Sequence, residues 1–313
     1  MTFSLGLLRA AGWLCLAFAA ISVFGAYAGA LSPYLDFAGQ LALQASLAAI
    51  VLATVFAVAR QRTPAIASSV IAALGLFAVA PHGSFPSCGN RPTHRVLFLN
   101  VWADNPNIAQ ASDFVARSGA DTIILGEVVP QFRPAFQRLR DLYPYHFECA
   151  PPRIFCDLYA YSRVPFEVQH IPSRHGWLHL KVSYPDGTLD LVGAHLTRPW
   201  PFRPAYRQVM QPPILARKIG ASSDPRLIIG DFNAVTWGHV TKTMSRLEDA
   251  VSLPSGGTWR SNFPWPLRVP IDQILVGPGI DCARKTVGPE TSSDHRPVWV
   301  DFAFAPKSPV AAR

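Results

Sequence analysis

The chain has 313 residues, enough for one ordinary domain of about 200 residues and a further segment. Half of the residues are hydrophobic and only 15% are charged, which is apolar for a soluble protein. The charged residues are distributed unevenly: residues 1–90 hold four of them, and residues 91–313 hold the other 25 basic and 19 acidic ones. This distribution excludes a single domain of uniform composition. The positive surplus of the second part suits an anionic substrate or membrane surface, but proteins that bind neither also carry such a surplus.

Three uncharged apolar stretches fill most of residues 1–82, at Ala11–Leu31, Phe37–Ala59 and Pro64–Pro81. A bilayer core about 30 Å thick needs roughly 20 helical residues, so the first two stretches are long enough to span it and the third is marginal. These lengths predict a membrane anchor over residues 1–82 with three transmembrane helices, at about 11–31, 37–59 and 64–81.

A cleaved signal peptide is the alternative for the first stretch, with Arg9 as its charged start and Ala-Tyr-Ala at 26–28 as its cleavage site. The two further apolar stretches favour the anchor, because a secreted protein does not need them. Gln40 and Gln44 are the only strongly polar side chains of the second stretch.

The short loops predict how this anchor lies in the cell (inner) membrane. Arg9 precedes the first stretch and Arg60 and Arg62 join the second to the third, whereas Ser32–Asp36 carries no positive charge. Positively charged loops stay in the cytoplasm, so the chain is predicted to leave the third helix on the outer side. The rest of this multi-pass protein then lies on the extracytoplasmic side.

An even number of cysteines follows the anchor, with no metal-type spacing. They are Cys88, Cys149, Cys156 and Cys282. An oxidising compartment would allow a Cys149–Cys156 bridge across a turn-rich stretch, with Cys88–Cys282 as the remaining pair. Four unpaired thiols are the alternative.

Residues 83–92 are rich in Pro, Gly and Ser and are predicted to be a linker, followed by a domain at 93–305 and a tail at 306–313. Short apolar segments bounded by turn residues predict strands in this domain. They are Arg95–Asn100, Thr122–Glu127, Leu158–Ser162, Trp177–Tyr184, Leu189–His195, Arg226–Asp231, Ile271–Val276 and Val298–Phe304. Helices are predicted at Asn107–Ser118 and Arg203–Ile219. Because strands outnumber helices, two packed sheets with helices outside are expected.

Polar side chains stand at or near the ends of these strands. They are Asn100, Glu127, His195, Asp231, Asn233, Asp272, Asp294 and His295. Strand ends at one rim of a sheet can converge into a pocket. Carboxylate and amide oxygens are ligands that Mg²⁺ takes, with substrate phosphate completing its shell. A histidine beside an aspartate can move protons or stabilise negative charge on phosphorus.

In this order of residues the chain resembles the endonuclease/exonuclease/phosphatase superfamily, which includes DNase I-like nucleases, abasic-site endonucleases, sphingomyelinases and inositol polyphosphate 5-phosphatases. The resemblance rests on Asn100, Glu127, His195, Gly-Asp-Phe-Asn at 230–233, Ile-Asp at 271–272 and Ser-Asp-His-Arg-Pro at 293–297. Each of these residues or motifs is ordinary by itself, and the resemblance rests on their order along the chain. It covers about residues 93–304 and implies an α/β (α+β) fold, a four-layer αββα sandwich of two packed mixed sheets.

The resemblance also implies a metal centre. Glu127 matches the principal ligand of a Mg²⁺ or Mn²⁺ ion, and Asn100 matches the residue that accompanies it. Asp294 matches a second-side metal ligand or an aspartate that positions the neighbouring histidine.

The remaining matches imply contacts with the phosphate. Asp231 matches the aspartate that orients or deprotonates the attacking water, and Asn233 matches an amide on the scissile phosphate. His295 matches the histidine beside that phosphate, with Asp272 as the acid that orients it. His195 matches a second histidine, found in the DNase I and sphingomyelinase branches, that donates to a phosphate oxygen.

Three departures from the family pattern bear on the branch rather than on catalysis. Gly126 stands where relatives usually have Gln, and Gln273 where many have His. The segment Cys-Asp-Leu-Tyr-Ala-Tyr at 156–161 stands where the strand usually opens with Gly.

The implied function is metal-dependent hydrolysis of a phosphodiester or phosphate ester, with nucleic acid as one candidate substrate. The alternative is hydrolysis of a lipid-linked phosphate or pyrophosphate at the outer membrane face, because the bilayer contact through residues 1–82 holds the site near headgroups. Three helices with an outward domain also resemble bacterial membrane proteins of this superfamily linked to glycopeptide resistance and the undecaprenyl phosphate cycle. A non-catalytic membrane-anchored binding module is the least favoured interpretation.

Six aromatic residues in predicted loops are candidates for contact with the membrane interface, and packing in the core or rim is their alternative. They are Trp200, Phe202, Trp237, Trp259, Phe263 and Trp265.

Overall fold

The N-terminal part of the protein is helical. A computed structural model describes residues 2–80, 85–91, 93–148, 156–171, 176–200, 203–254 and 256–306. Its first helices are α1 (Thr2–Ala28), α2 (Pro33–Gly39), α3 (Ala42–Val58) and α4 (Arg62–Val79). Two helical segments, Ala10–Leu31 and Arg62–Val79, are long and apolar enough to cross a membrane, and α2 with α3 would form a third that is bent by 56°. Length and composition therefore support two or three spans.

The second apolar stretch is not the single helix predicted over residues 37–59. It breaks at Gln40 and Leu41, after α2 has packed against α1. The packing is close because both helices present glycine: a Cβ on Gly39 would lie 2.6 Å from backbone atoms of Gly25 and Ala26. The 17 residues of α3, at about 1.5 Å each, fall short of a bilayer core about 30 Å thick.

Twelve strands of the described residues form two mixed sheets of six. They are β1 (His94–Asn100), β2 (Thr122–Gly126), β3 (Tyr145–Phe147), β4 (Tyr159–Ser162), β5 (Phe166–His170), β6 (Trp177–Tyr184), β7 (Gly187–His195), β8 (Arg226–Asp231), β9 (Val251–Ser252), β10 (Asp272–Val276), β11 (Ile280–Val287) and β12 (Val298–Phe304). The orders are β11-β12-β1-β2-β4-β3 and β5-β6-β7-β8-β10-β9. Each sheet has one parallel pair, β1 with β2 and β7 with β8.

The sheets pack face to face and carry helices on their outer faces. These are α5 (Ile108–Arg117), α6 (Arg133–Leu142), α7 (Arg203–Ile219) and α8 (His239–Leu247). Phe98 of the first sheet and Ile229 of the second belong to the core between them. α5 and α6 bury side chains against the first sheet, and α7 and α8 against the second. The structure confirms the prediction of two packed mixed sheets.

Sequence patterns place the main elements well. Three predicted strands, β6, β8 and β12, and the predicted helix α7 have the observed bounds. The other predicted strands and α5 differ by one or two residues at an end. Sequence patterns miss β3, β5, β9 and β11 together with α6 and α8.

The predicted linker is bonded to the domain that follows it. Phe85 packs against the core between the sheets, and Cys88 forms a disulfide with Cys282 of β11. The predicted Cys88–Cys282 pair is therefore confirmed. Cys156 is also disulfide-bonded, whereas Cys149 lies outside the described residues.

The loop aromatics divide into exposed and buried side chains. Trp200 and Trp265 are 52% and 66% exposed, and Trp259 and Phe263 are also exposed. Trp237 is buried, and its Nε1 donates to the carbonyl oxygen of Gly39 at 2.8 Å. The contact of Trp237 with a lipid interface is therefore ruled out, because this side chain packs against α2. Phe202 lies outside the described residues.

Candidate active site

Strand ends from both sheets meet at one rim of the sandwich. The parallel pairing of β1 with β2 sets Asn100 beside the last residue of β2, which Glu127 follows. In the second sheet, the pairing of β7 with β8 sets His195 beside Asp231. The pairing of β8 with β10 sets Asp272 on the other side of Asp231. Strand register therefore groups Asn100 with Glu127 in the first sheet and His195, Asp231 and Asp272 in the second, and the packing of the two sheets brings the two groups together.

Gly230 allows β8 to approach β7 closely at this rim. A Cβ on Gly230 would lie 1.9 Å from the carbonyl oxygen of Ala194 in β7. A larger residue would push the two strands apart, and Asp231 would lose its position beside His195. The glycine of the Gly-Asp-Phe-Asn motif thus has a steric role.

The side-chain amide of Asn100 joins carboxylates of the two sheets. Its Nδ2 donates to Glu127 Oε1 at 2.9 Å and to Asp231 Oδ2 at 3.1 Å. Glu127 Oε2 also accepts from the backbone N–H of Ala103 at 3.0 Å. The Glu127 side chain is 28% exposed, whereas that of Asp231 is 1% exposed. Glu127 is therefore the more accessible of the two carboxylates.

Two buried histidines flank Asp231. Nε2 of His195 and Nε2 of His295 each lie 3.8 Å from Asp231 Oδ2. Nδ1 of His195 is 2.8 Å from Asp157 Oδ2, and Nδ1 of His295 is 3.0 Å from Asp272 Oδ2. Because a carboxylate holds each Nδ1, both rings direct Nε2 toward Oδ2 of Asp231.

Both histidines are stabilised in their charged form. Burial alone would lower the pKa of His195, but Asp157 and Asp231 raise it to about 9. Burial would likewise lower the pKa of His295, but Asp272 and Asp231 raise it to about 10. Two positive rings near neutral pH suit a phosphate oxygen as their partner.

The pKa values of the two central carboxyl groups shift in opposite directions, although burial acts to raise both. Burial raises the pKa of Asp231; His295 offsets part of this rise, and Asp272 adds to it. Burial would also raise the pKa of Glu127, but His195 and hydrogen bonds outweigh it and hold that pKa below its ordinary value. Asp231 is therefore the better proton acceptor, while Glu127 stays ionised.

Asn233 folds back onto Asp231. Its backbone N–H donates to Asp231 Oδ1 at 2.7 Å, and its Nδ2 donates to Oδ2 at 3.2 Å and to the Leu196 carbonyl at 3.0 Å. Asn233 and Glu127 both have left-handed backbones, with φ of 49° and 57°. Asparagine tolerates this region, whereas glutamate rarely occupies it. Such strain persists where surrounding contacts fix the residue, as they do at this rim.

Asp294 lies at the edge of the group. Its Oδ1 is 4.0 Å from His295 Nε2, and its Oδ2 accepts from Trp259 Nε1 at 3.0 Å. Two groups among the described residues have ligand atoms close enough to share a metal ion, and neither includes Asp294. They are Glu127 with His195 and Asp231, and Asp231 with Asp272 and His295. The role of Asp294 stays a prediction.

The donor set fits a divalent cation that prefers oxygen ligands. Glu127 and Asp231 accept from the same Asn100 amide, and their nearest carboxylate oxygens lie within 4.8 Å of each other. Like charges held this close repel, and a divalent cation between or beside them relieves the repulsion. Glu127 is the ligand that an ion from solvent would reach first.

All eight predicted site residues lie at this rim, and the structure adds Asp157. This carboxylate lies in an irregular segment before β4, where no periodic pattern marks it. The sequence signal that could have indicated Asp157 is the departure from the family pattern at 156–161.

Gln273, where many relatives have histidine, is fully buried behind the site. Its Nε2 donates to the carbonyl oxygens of Ala234 at 2.9 Å and Pro270 at 2.6 Å. Its Oε1 accepts from the Thr236 hydroxyl at 3.1 Å. Through these hydrogen bonds, the Gln273 side chain supports the segment that follows Asp231.

A family model described as "Endonuclease/Exonuclease/phosphatase family" matches residues 97–295. No curated protein matches the sequence.

Solved structures share the fold. An endonuclease/exonuclease/phosphatase from Beutenbergia cavernae is 19% identical with a TM-score of 0.57, covering 71% of this chain and 74% of its own. Sphingomyelinase C from Streptomyces griseocarneus is 16% identical with a TM-score of 0.53, covering 68% and 100%. A beta toxin mutant from Staphylococcus aureus with bound magnesium ions is 14% identical with a TM-score of 0.53, covering 67% and 99%. At these identities the likeness shows the fold alone.

Replacing Glu127 with glutamine removes the charge of the accessible carboxylate and keeps its shape. We expect the affinity of the full chain for Mn²⁺ to fall by about tenfold or more, measured by electron paramagnetic resonance titration. Glu167→Gln is the matched control, because Glu167 is exposed on β5. Equal affinity in the wild type and the Glu127 variant would contradict a metal site at this carboxylate.

Proposed function

Because this chain belongs to the endonuclease/exonuclease/phosphatase family, we propose that it is a metal-dependent phosphoesterase anchored in the cell membrane. The observation that carries the proposal is the convergence of two histidine rings on Asp231, with Nε2 of His195 and of His295 each 3.8 Å from its Oδ2. Two cationic rings beside a proton-accepting carboxylate suit an anionic phosphoryl group and the water that attacks it.

Glu127 and Asn100 would hold a Mg²⁺ or Mn²⁺ ion at this rim, with Asp294 as a second-side ligand or as a positioning group for His295. When bound, the ion supplies polarisation of a phosphoryl oxygen and stabilises charge on the leaving oxygen. A relative of the same fold carries bound magnesium ions, which supports magnesium as the first candidate.

The protein's own residues supply the proton transfers. Asp231 orients a water molecule and takes its proton as the water oxygen bonds to phosphorus. His195 and His295 donate from Nε2 to phosphoryl oxygens, and Asn233 contacts the same group. As the ester P–O bond breaks, the departing oxygen takes a proton from one of the imidazolium rings.

Several features support a membrane protein with this domain on the extracytoplasmic side. The apolar helices fit a bilayer. The positive residues Arg60 and Arg62 lie at or just before the start of α4, whereas the domain follows the other end of this helix. The disulfide between Cys88 and Cys282 suits an oxidising compartment.

A lipid-linked phosphate or pyrophosphate is the second candidate substrate, and the packing of α2 favours it. Phe37 of α2 stacks on the exposed Trp200, with ring centroids 5.9 Å apart. Tyr34 of α2 meets Tyr206 of α7 edge to face at 5.5 Å. The anchor thus reaches the same side of the domain as the site, which would bring headgroups near it. Nucleic acid is the other candidate substrate. A non-catalytic binding module is the least favoured interpretation of the protein.

Asp231→Asn and His295→Ala should strongly reduce metal-dependent turnover without unfolding the protein. We expect kcat to fall by about 10²- to 10⁴-fold, because each variant removes a proton-transfer or charge-stabilising group. Release of phosphate or of a reporter alcohol measures it, with EDTA as the metal control. Asp104→Asn is the matched variant, since Asp104 is exposed. Wild-type rates in either site variant would contradict the assignment.

Substrate class is tested on the full chain in nanodiscs. Plasmid DNA, a phosphodiester reporter and a polyprenyl pyrophosphate are each supplied with and without EDTA. Metal-dependent turnover of the polyprenyl pyrophosphate is the result expected for the lipid candidate. Cleavage of DNA alone would eliminate that candidate, and no metal-dependent turnover of any substrate would favour the binding module.

A further inference from the structure

The segment that follows the catalytic strand β8 is held from outside its own domain. This segment, Asn233–Val240, leads from Asp231 into α8 and is called the catalytic turn below. Three groups of the anchor bond to it: Gln40 to Asn233, the Gly39 carbonyl to Trp237, and Asp36 to the start of α8. All three come from α2 or the residue after it.

Gln40 bonds to the residue that folds back onto Asp231. Its Nε2 donates to the Asn233 carbonyl oxygen at 3.1 Å, and Gln208 of α7 donates to the same oxygen at 2.8 Å. Asn233 has a left-handed backbone, so its carbonyl direction must be fixed by its neighbours. The other end of the same residue donates to both oxygens of Asp231. One residue therefore connects the anchor to the proposed proton acceptor.

Asp36 caps the helix that ends the catalytic turn. Gly238 precedes α8 and supplies no side-chain cap. Instead, Asp36 Oδ1 accepts from the N–H of His239 at 2.6 Å, and Oδ2 accepts from that of Val240 at 3.4 Å. Asp36 is 3% exposed. A carboxylate at this position satisfies helix N–H groups that would otherwise be unpaired and interacts favourably with the helix dipole.

The anchor side of this contact is rigid. The close glycine contact between α1 and α2 leaves no room for a side chain at Gly39. The indole of Trp237 is buried beside it, in one apolar cluster with Ala26 of α1 and Ala78 of α4. α2 is therefore wedged between the apolar helices and the catalytic turn, and displacement of α2 would move the turn.

We propose that α2 and the residue after it are a positioning element of the active site: Gln40 and Asp36, from the membrane anchor, hold the catalytic turn so that Asn233 and Asp231 keep their reactive arrangement. The inference rests on the proposed function. It also accounts for two features of the second apolar stretch that membrane insertion alone does not need: the helix break after Gly39 and the polar side chain of Gln40.

The test compares two glutamines of the anchor in the full chain. Gln40→Met keeps the length of the side chain and removes the donor. Gln44→Met is the matched control, because Gln44 Nε2 donates to the carbonyl oxygens of Pro266 and Arg268, outside the catalytic turn. We expect kcat of the Gln40 variant to fall by about tenfold, with KM and Mn²⁺ affinity within about twofold of wild type, because a small displacement of reacting groups slows the reacting step. The Gln44 variant is expected to keep the wild-type kcat.

Asp36 provides a second test with a rescue. Asp36→Leu removes the cap, whereas Asp36→Asn keeps one, since asparagine caps helices as well as aspartate does. We expect kcat to fall in the leucine variant and to recover in the asparagine variant, with both melting temperatures recorded. Wild-type kcat in both Gln40→Met and Asp36→Leu would overturn the inference, as would equal losses in the Gln40 and Gln44 variants.

Hydrogen exchange of the peptide over residues 232–240 separates this inference from the proposed function. Faster exchange in Gln40→Met and Asp36→Leu, but not in Gln44→Met, is expected whatever the substrate is. If the wild-type protein turns over no phosphate ester, the proposed function is refuted. The exchange rates of residues 232–240 then still test whether Gln40 and Asp36 hold the catalytic turn. Unchanged exchange in both variants would overturn the inference even if the wild type is active.

Discussion

The amide of Asn100 is the contact on which the site depends, because it donates to one carboxylate from each sheet. Glu127 stands on the first sheet and Asp231 on the second, and both accept from the same nitrogen. Holding two carboxylates this close is unfavourable without positive charge nearby. His195 and His295, charged near neutral pH, supply part of it, and a divalent cation would supply the rest. The parallel pairs at the centre of each sheet place these groups at one rim.

The apolar N-terminal helices and the domain are joined at several points. The Cys88–Cys282 disulfide ties the segment after α4 to the first sheet, while α2 packs against the catalytic turn. In the proposed membrane protein, these contacts would keep the site from swinging freely away from the bilayer. A tether that only raised the local concentration near a membrane would not need buried contacts of this kind. The arrangement suits a substrate whose phosphate lies at a fixed distance from the bilayer surface. It therefore favours a lipid headgroup as substrate, which the sequence motifs alone do not.

Local sequence signals were sufficient for the central strands and insufficient for contacts made across the chain. Strands such as β8 are buried, with an apolar centre and a polar last residue, so both the strand and the place of that residue at its end could be predicted. β11 is an edge strand without regular alternation, so no period marks it. The cap of α8 is Asp36, which lies 203 residues from the N–H that it accepts from, and no local pattern could reveal it. Asp157 was missed for the same reason, since only the folded chain brings it to His195.

The central claim is that the position between Asp231 and the Nε2 atoms of His195 and His295 receives a phosphoryl group beside a metal ion. The most direct measurement is a crystal structure of the full chain with Mn²⁺ and inorganic phosphate, using the anomalous signal of manganese. The expected result is an anomalous peak within bonding distance of the Glu127 carboxylate and a phosphate whose oxygens accept from Nε2 of both His195 and His295. An anomalous peak away from Glu127, or a phosphate bound elsewhere while this position holds only water, would contradict the account.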